Sequence, residues 1–131
     1  MKFFVREVNQ SNDLKMTAGI KARDDMEEIL MSQDILPLNI KLNSQHSNLE
    51  RENVNTIKKL NYHKKVYEIW KEKLSDLQSG DILFVQFPII EHSIFLHKCF
   101  KYLTKHNIKI VLIIQYVIQL TNPSLPFSIT F

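Results

Sequence analysis

The chain has 131 residues, 44% of them apolar, which is ordinary for one globular domain and is long enough to bury a single core. A formal charge of +3 and a pI near 9.0 favour anionic partners, without choosing between phosphates, nucleic acid and a membrane surface. A lone cysteine, Cys99, excludes an internal disulfide and any paired-cysteine metal site, so a reducing, cytoplasmic compartment is expected.

Neither export nor membrane insertion is written in the chain. The start, MKFFVREVNQ, has a short apolar patch broken at once by Arg6 and Glu7. The longest apolar stretch, Ile110 to Leu120, contains two glutamines and falls well below the roughly 18–20 residues of a spanning helix. No transmembrane segment is expected.

Taken in chain order, the periodicities alternate. FFVREV, residues 3–8, is β-rich and meets the turn-rich NQSND, so it reads as a first strand and a loop. Ala22, Met26, Ile29 and Leu30 then fall on one face of a helix, with Arg23, Asp24, Glu27 and Glu28 on the other. LPLNIKL is a second strand, and Pro37 near its start suggests an edge position. NSQHSN is loop. Tyr62, Val66, Ile69, Trp70 and Leu77 keep helical spacing through a long segment from about Glu52 to Leu77, closed by glycine in SGD. Between Lys58 and Lys73 of that segment, six lysines (Lys58, Lys59, Lys64, Lys65, Lys71 and Lys73) stand against Glu68 and Glu72, a net charge of +4.

DILFVQFPII follows, a nearly continuous apolar run that reads as a central strand buried on both faces, with Pro88 where it leaves the ladder. Phe95 or Leu96, Cys99, Phe100 and Leu103 make another amphipathic helix ending at KHN, and IKIVLII, residues 108–114, is a further buried strand. The order is β-α-β-α-β-α-β. It predicts an α/β fold, a Rossmann-like, mostly parallel sheet of four strands with helices on both faces. Ligands then sit at the carboxyl ends of the strands, so the loops after Val8, Phe87 and Ile114 should line one rim.

On that rim, Thr17, Ala18 and Gly19 would start the first helix, where free N–H groups and the helix dipole suit a phosphate. Gly19 permits close approach, and Lys21 and Arg23 add positive charge. The plainer alternative is that Thr17 or Asp13 caps the helix and Lys21 is solvated surface. Neither a dinucleotide fingerprint nor a P-loop is present. His92 and His97 lie five apart, an awkward separation for one metal, so no metal and no cofactor are expected. Glu91 and His92 sit where acid-base residues often do, but a role at a helix start explains them equally. The aromatics Tyr62, Tyr67 and Trp70 in the basic helix keep core spacing, and no nucleic-acid signature accompanies them, so no nucleic-acid partner is expected.

FFVREVNQSNDLKMTAGIKARDD, LNYHKKVYEIWKEKLSDLQSGDILFVQFPIIEH and LTKHNIKIVLII together resemble the amino-terminal half of a bacterial glycosyltransferase family, from about Met1 to Ile114. That family includes glucosyltransferase-3-like enzymes and galactofuranosyltransferase-like enzymes of surface-polysaccharide clusters. The resemblance implies one half of a GT-B architecture, in which two Rossmann-like domains face each other across a cleft. It implies that the first domain mainly holds a glycan acceptor and the second mainly a nucleotide-sugar donor. Carried over by position, Thr17, Ala18, Gly19 and Lys21 would face the donor phosphates, and Gln86, Pro88 and His92 the acceptor; no catalytic residue is assigned.

Residues 115–131, QYVIQLTNPSLPFSITF, depart from the family's expected continuation. They read as an atypical tail of a truncated chain, one inactive alone and prone to self-association, or equally as a short real strand and turn. The competing reading is a small Rossmann-like binding or interaction module whose basic helix meets an anionic partner.

Overall fold

The computed structural model describes residues 1–9, 18–42, 56–90 and 92–115. They form β1 (Lys2–Asn9), α1 (Ala18–Ser32), β2 (Leu36–Leu42), α2 (Thr56–Leu74), β3 (Ile82–Phe87), α3 (Leu96–Lys105) and β4 (Lys109–Ile114). The four strands make one all-parallel sheet in the order β2-β1-β3-β4, the Rossmann-like half expected from the alternation of periods.

Strand alternation divides the core between the two faces of the sheet. On one face Val5, Leu38, Ile40, Leu42, Leu83 and Val85 pack against Val66, Trp70 and Leu74 of α2 and Leu96, Cys99 and Leu103 of α3. On the other, Phe4 packs with Leu30 and Ile35, flanked by Met26, Phe84 and Ile113, so α1 covers that side. Trp70 is fully buried and meets Phe100 edge-on at 6.3 Å between ring centroids. Burial pushes the Cys99 thiol up to about 11, which leaves it a protonated core group and no nucleophile at neutral pH.

Two helices end by the same device. Asp34 and Asn107 adopt left-handed φ values of 60° and 58°. Around them Ile35 N donates to Leu30 O and Asp34 N to Met31 O; Ile108 N donates to Leu103 O and Asn107 N to Thr104 O. In each case the apolar residue after the turn, Ile35 or Ile108, is buried, so the cap also aims the chain into its next strand.

Some expectations need correction. Helix α2 stops at Leu74, before the glycine: Gly80, at φ 92°, instead serves the turn into β3, where its N–H reaches Asn107 O. Residues 52–55 of the expected helix lie outside the described residues. Ile29, expected on the buried face of α1, is 55% exposed, because that helix meets the sheet through a narrow stripe centred on Met26 and Leu30. β4, expected inside the sheet, is its edge among the described residues, with Leu112 and Ile114 exposed. An apolar run signals burial but cannot say on how many sides a strand has neighbours. β2 is the opposite edge, as Pro37 suggested.

Candidate functional site at the strand-order switch

The chain begins in β1, lays β2 on one side and then crosses back to lay β3 on the other, so the order reverses between β1 and β3. In open parallel sheets the crevice at that reversal is where ligands gather. Here the strands part early. β1 pairs with β3 only at Lys2, Phe3 and Phe4, opposite Ile82, Leu83 and Phe84, whereas its pairing with β2 runs from Phe3 to Asn9. Beyond Phe4 a gap opens toward the carboxyl rim.

A polar cluster fills the gap. Glu7 of β1 accepts from Arg23 Nη2 of α1 at 2.7 Å and from the Ile90 N–H at 3.0 Å, both at Oε2. Arg23 Nη1 donates to the Pro88 carbonyl, just after the cis Phe87–Pro88 peptide bond. The two side chains are only 12% (Arg23) and 6% (Glu7) exposed. A guanidinium suits the place because its planar fork can satisfy a carboxylate and a carbonyl at once. The pair thus ties β1, α1 and the β3–α3 loop together at one rim.

Beneath it lies a second set of amides. Gln86 of β3, 2% exposed, donates to the Arg23 carbonyl at 3.4 Å and accepts from the Gln115 side chain, which also reaches the Ala22 carbonyl at 3.4 Å. Gln115 N donates to Phe87 O, extending the β3–β4 ladder by one bond. On the flank of β1, Arg6 Nε stands 3.5 Å from Glu27. Burial raises the Glu27 carboxyl above its usual range, and Arg6 opposes the shift only in part. Across the sheet, buried Ser93 donates to the His63 carbonyl at 2.6 Å and accepts from the Phe95 N–H, fixing the β3–α3 loop against α2.

Of the residues singled out in the sequence, Ala18 and Gly19 are the first two of α1, as expected, while Thr17 lies outside the described residues, as do Asp13 and Glu91. Lys21, Pro88 and His92 are exposed. Gln86 is internal, and its amide joins α1 to the sheet. His97 Nδ1 lies 2.8 Å from the Ile94 carbonyl. Among the described residues, no three histidine, cysteine or acidic side chains come close enough to hold a metal ion. No helix there is long and apolar enough to cross a membrane.

Sequence reasoning did not single out Glu7, and it gave Arg23 only a general positive charge beside the start of the first helix. One signal was legible: a carboxylate near the carboxyl end of a β-rich run has to find a partner or a ligand if it is buried.

A family model described as glucosyltransferase 3-like, N-terminal domain matches residues 2–128, nearly the whole chain. No curated protein matches it.

Proposed function

We propose, from the premise that the chain belongs to the glucosyltransferase 3-like N-terminal domain family, that this domain forms the acceptor-side wall of a GT-B cleft. The enzyme would be a cytoplasmic, sugar-nucleotide-dependent glycosyltransferase serving cell-surface polysaccharide or glycoprotein glycan synthesis. One observation carries the reading: the start of α1, the Pro88–Ile90 turn and the open end of the β1–β3 crevice share one rim.

On this reading the N–H groups at Thr17, Ala18 and Gly19 meet donor phosphate, helped by the helix dipole and Lys21. Pro88 and His92 offer surface to the acceptor, and Gln86 acts indirectly by seating α1. Transfer needs donor and acceptor in near-attack geometry while charge on the leaving diphosphate is stabilised, and this wall supplies only part of both. The polypeptide Met1–Phe131 should therefore show no multiple-turnover transfer. Its affinity for sugar nucleotides should lie in the millimolar range, on the order of −4 kcal/mol.

Titration with a uridine diphosphate sugar, followed by amide chemical shifts, tests the assignment. Perturbation beginning at residues 17–21 is expected. Shifts confined to Lys58, Lys64 and Lys71 would overturn it in favour of a module that binds anions through its basic helix.

A further inference from the structure

Helices α2 and α3 lie side by side over one face of the sheet, and their outward surfaces carry the same pattern twice. On α2, Ile57, Leu60, Lys64, Tyr67 and Lys71 recur at intervals of three and four, which is one stripe of a helix. Along α3 and the turn before it, Ile94, Lys98, Lys101 and Lys105 do likewise. The stripes touch: Tyr67 and Phe95 meet edge-on at 6.3 Å, and Lys71 and Lys98 stand 5.9 and 6.0 Å from the centre of the Tyr67 ring. Lys98 is also 5.1 Å from the Phe95 ring.

Two like charges are thus gathered over one aromatic ring. Acidic residues do little to offset them: α3 has none, and those of α2 are Glu68 and Glu72. The opposite layer has the other sign, since α1 holds Asp24, Asp25, Glu27 and Glu28 against Lys21 and Arg23. Among the described residues, the α2–α3 side is basic and the α1 side acidic.

Each stripe also begins with apolar residues at the rim end. Ile57 is 69% exposed, Leu60 48% and Ile94 53%. The Ser93–His63 hydrogen bond holds these two groups of residues near each other. Exposed aliphatic tips with lysines behind them match the layering of a bilayer surface, where apolar side chains enter the acyl boundary and ammonium groups stay among anionic headgroups. A nucleic acid would use the lysines but has no counterpart for three exposed aliphatic side chains that do not stack.

We infer that the α2–α3 face is a docking surface for an anionic lipid bilayer, with Ile57, Leu60 and Ile94 at its leading edge and Lys64, Lys71, Lys98, Lys101 and Lys105 behind. Contact of this kind is peripheral and reversible. It would set the rim at the membrane surface.

Co-sedimentation of the full chain with vesicles tests this, using phosphatidylcholine alone or with roughly 30% phosphatidylglycerol at low salt. Binding is expected only to the anionic vesicles, and it should fall as sodium chloride is raised. K98Q/K101Q/K105Q should weaken it at least about tenfold, and I57S/I94S should lower the salt concentration at which the chain is released. K41Q, which removes an exposed lysine on the far edge strand, should change nothing, and far-UV circular dichroism confirms that each variant is folded. Equal binding to neutral vesicles, no binding to anionic ones at low salt, or an unaltered K98Q/K101Q/K105Q would overturn the inference. So would displacement from vesicles by single-stranded RNA at lower concentration than by free phosphatidylglycerol headgroup, which would reassign the face to nucleic acid.

Discussion

Replacing Arg23 by methionine should be among the most costly single changes at the rim. The aliphatic part of the side chain is kept, so lost packing is small, but the Glu7 carboxylate stays at 6% exposure without its guanidinium, and the Pro88 carbonyl loses a donor. Removing one partner of a pair this buried costs about 3 kcal/mol, set by the price of a desolvated charge rather than by the gross attraction. With about 2.1 cal/mol/K of unfolding entropy per residue, that lowers the melting temperature by about 10 °C. Urea unfolding followed by circular dichroism measures it, and the midpoint should move without a change in slope. The second arm is E7Q/R23M, which removes both charges yet leaves an acceptor for the Ile90 N–H. It should recover at least about 1 kcal/mol relative to R23M. A loss below about 0.5 kcal/mol in R23M, or no recovery in the double variant, would mean that water screens the pair and that it does not hold the rim.

Three other expectations can be checked on the same material. Trp70 Nε1 has no hydrogen-bond partner among the described residues, so W70F should cost about 1–2 kcal/mol in urea unfolding against about 3–5 for W70A; near-equal losses would show that the indole N–H matters. Because burial raises the folded-state pKa of Glu27 above 4.5, its contribution is present below that value and is lost as pH rises through the folded-state value. E27Q should therefore gain on the wild type as pH climbs from about 4.5, and a gap independent of pH would refute the assignment. If the β4 edge drives self-association, L112K/I114K should shift sedimentation toward monomer, and an unchanged distribution would exclude that edge.

What the sequence made legible follows from what one segment can encode. Strand β2 was readable to the residue because LPLNIKL is bounded by its own turn chemistry, and the parallel architecture followed from alternating periods. The edge position of β4 was not, since its neighbours are chosen by the order of the whole sheet. The same limit hid Glu7 and Arg23. They are 16 positions apart, they meet a third segment more than 60 residues on, and each looks like an ordinary surface charge until the three segments converge. Gln86 was legible only as a residue at a strand end; its buried amide bond to the Arg23 carbonyl of α1 could not be read from one segment.

The early parting of β1 from β3 also bears on how the chain acquires its shape. Seven ladder pairs join β1 to β2 and six join β3 to β4, each across one helical crossover, but only three join the two halves, between residues some 80 apart. Loop-closure entropy makes that joint the costliest to form and gives it the least in return. The two βαβ halves are then expected to gain structure separately and to meet late. Conservative substitutions at Phe4 and Phe84 should chiefly speed unfolding, with φ-values near zero, while those at Leu38 or Val85 should slow folding. High φ-values at Phe4 and Phe84 would reverse the order, making the narrow seam the nucleus around which both halves assemble.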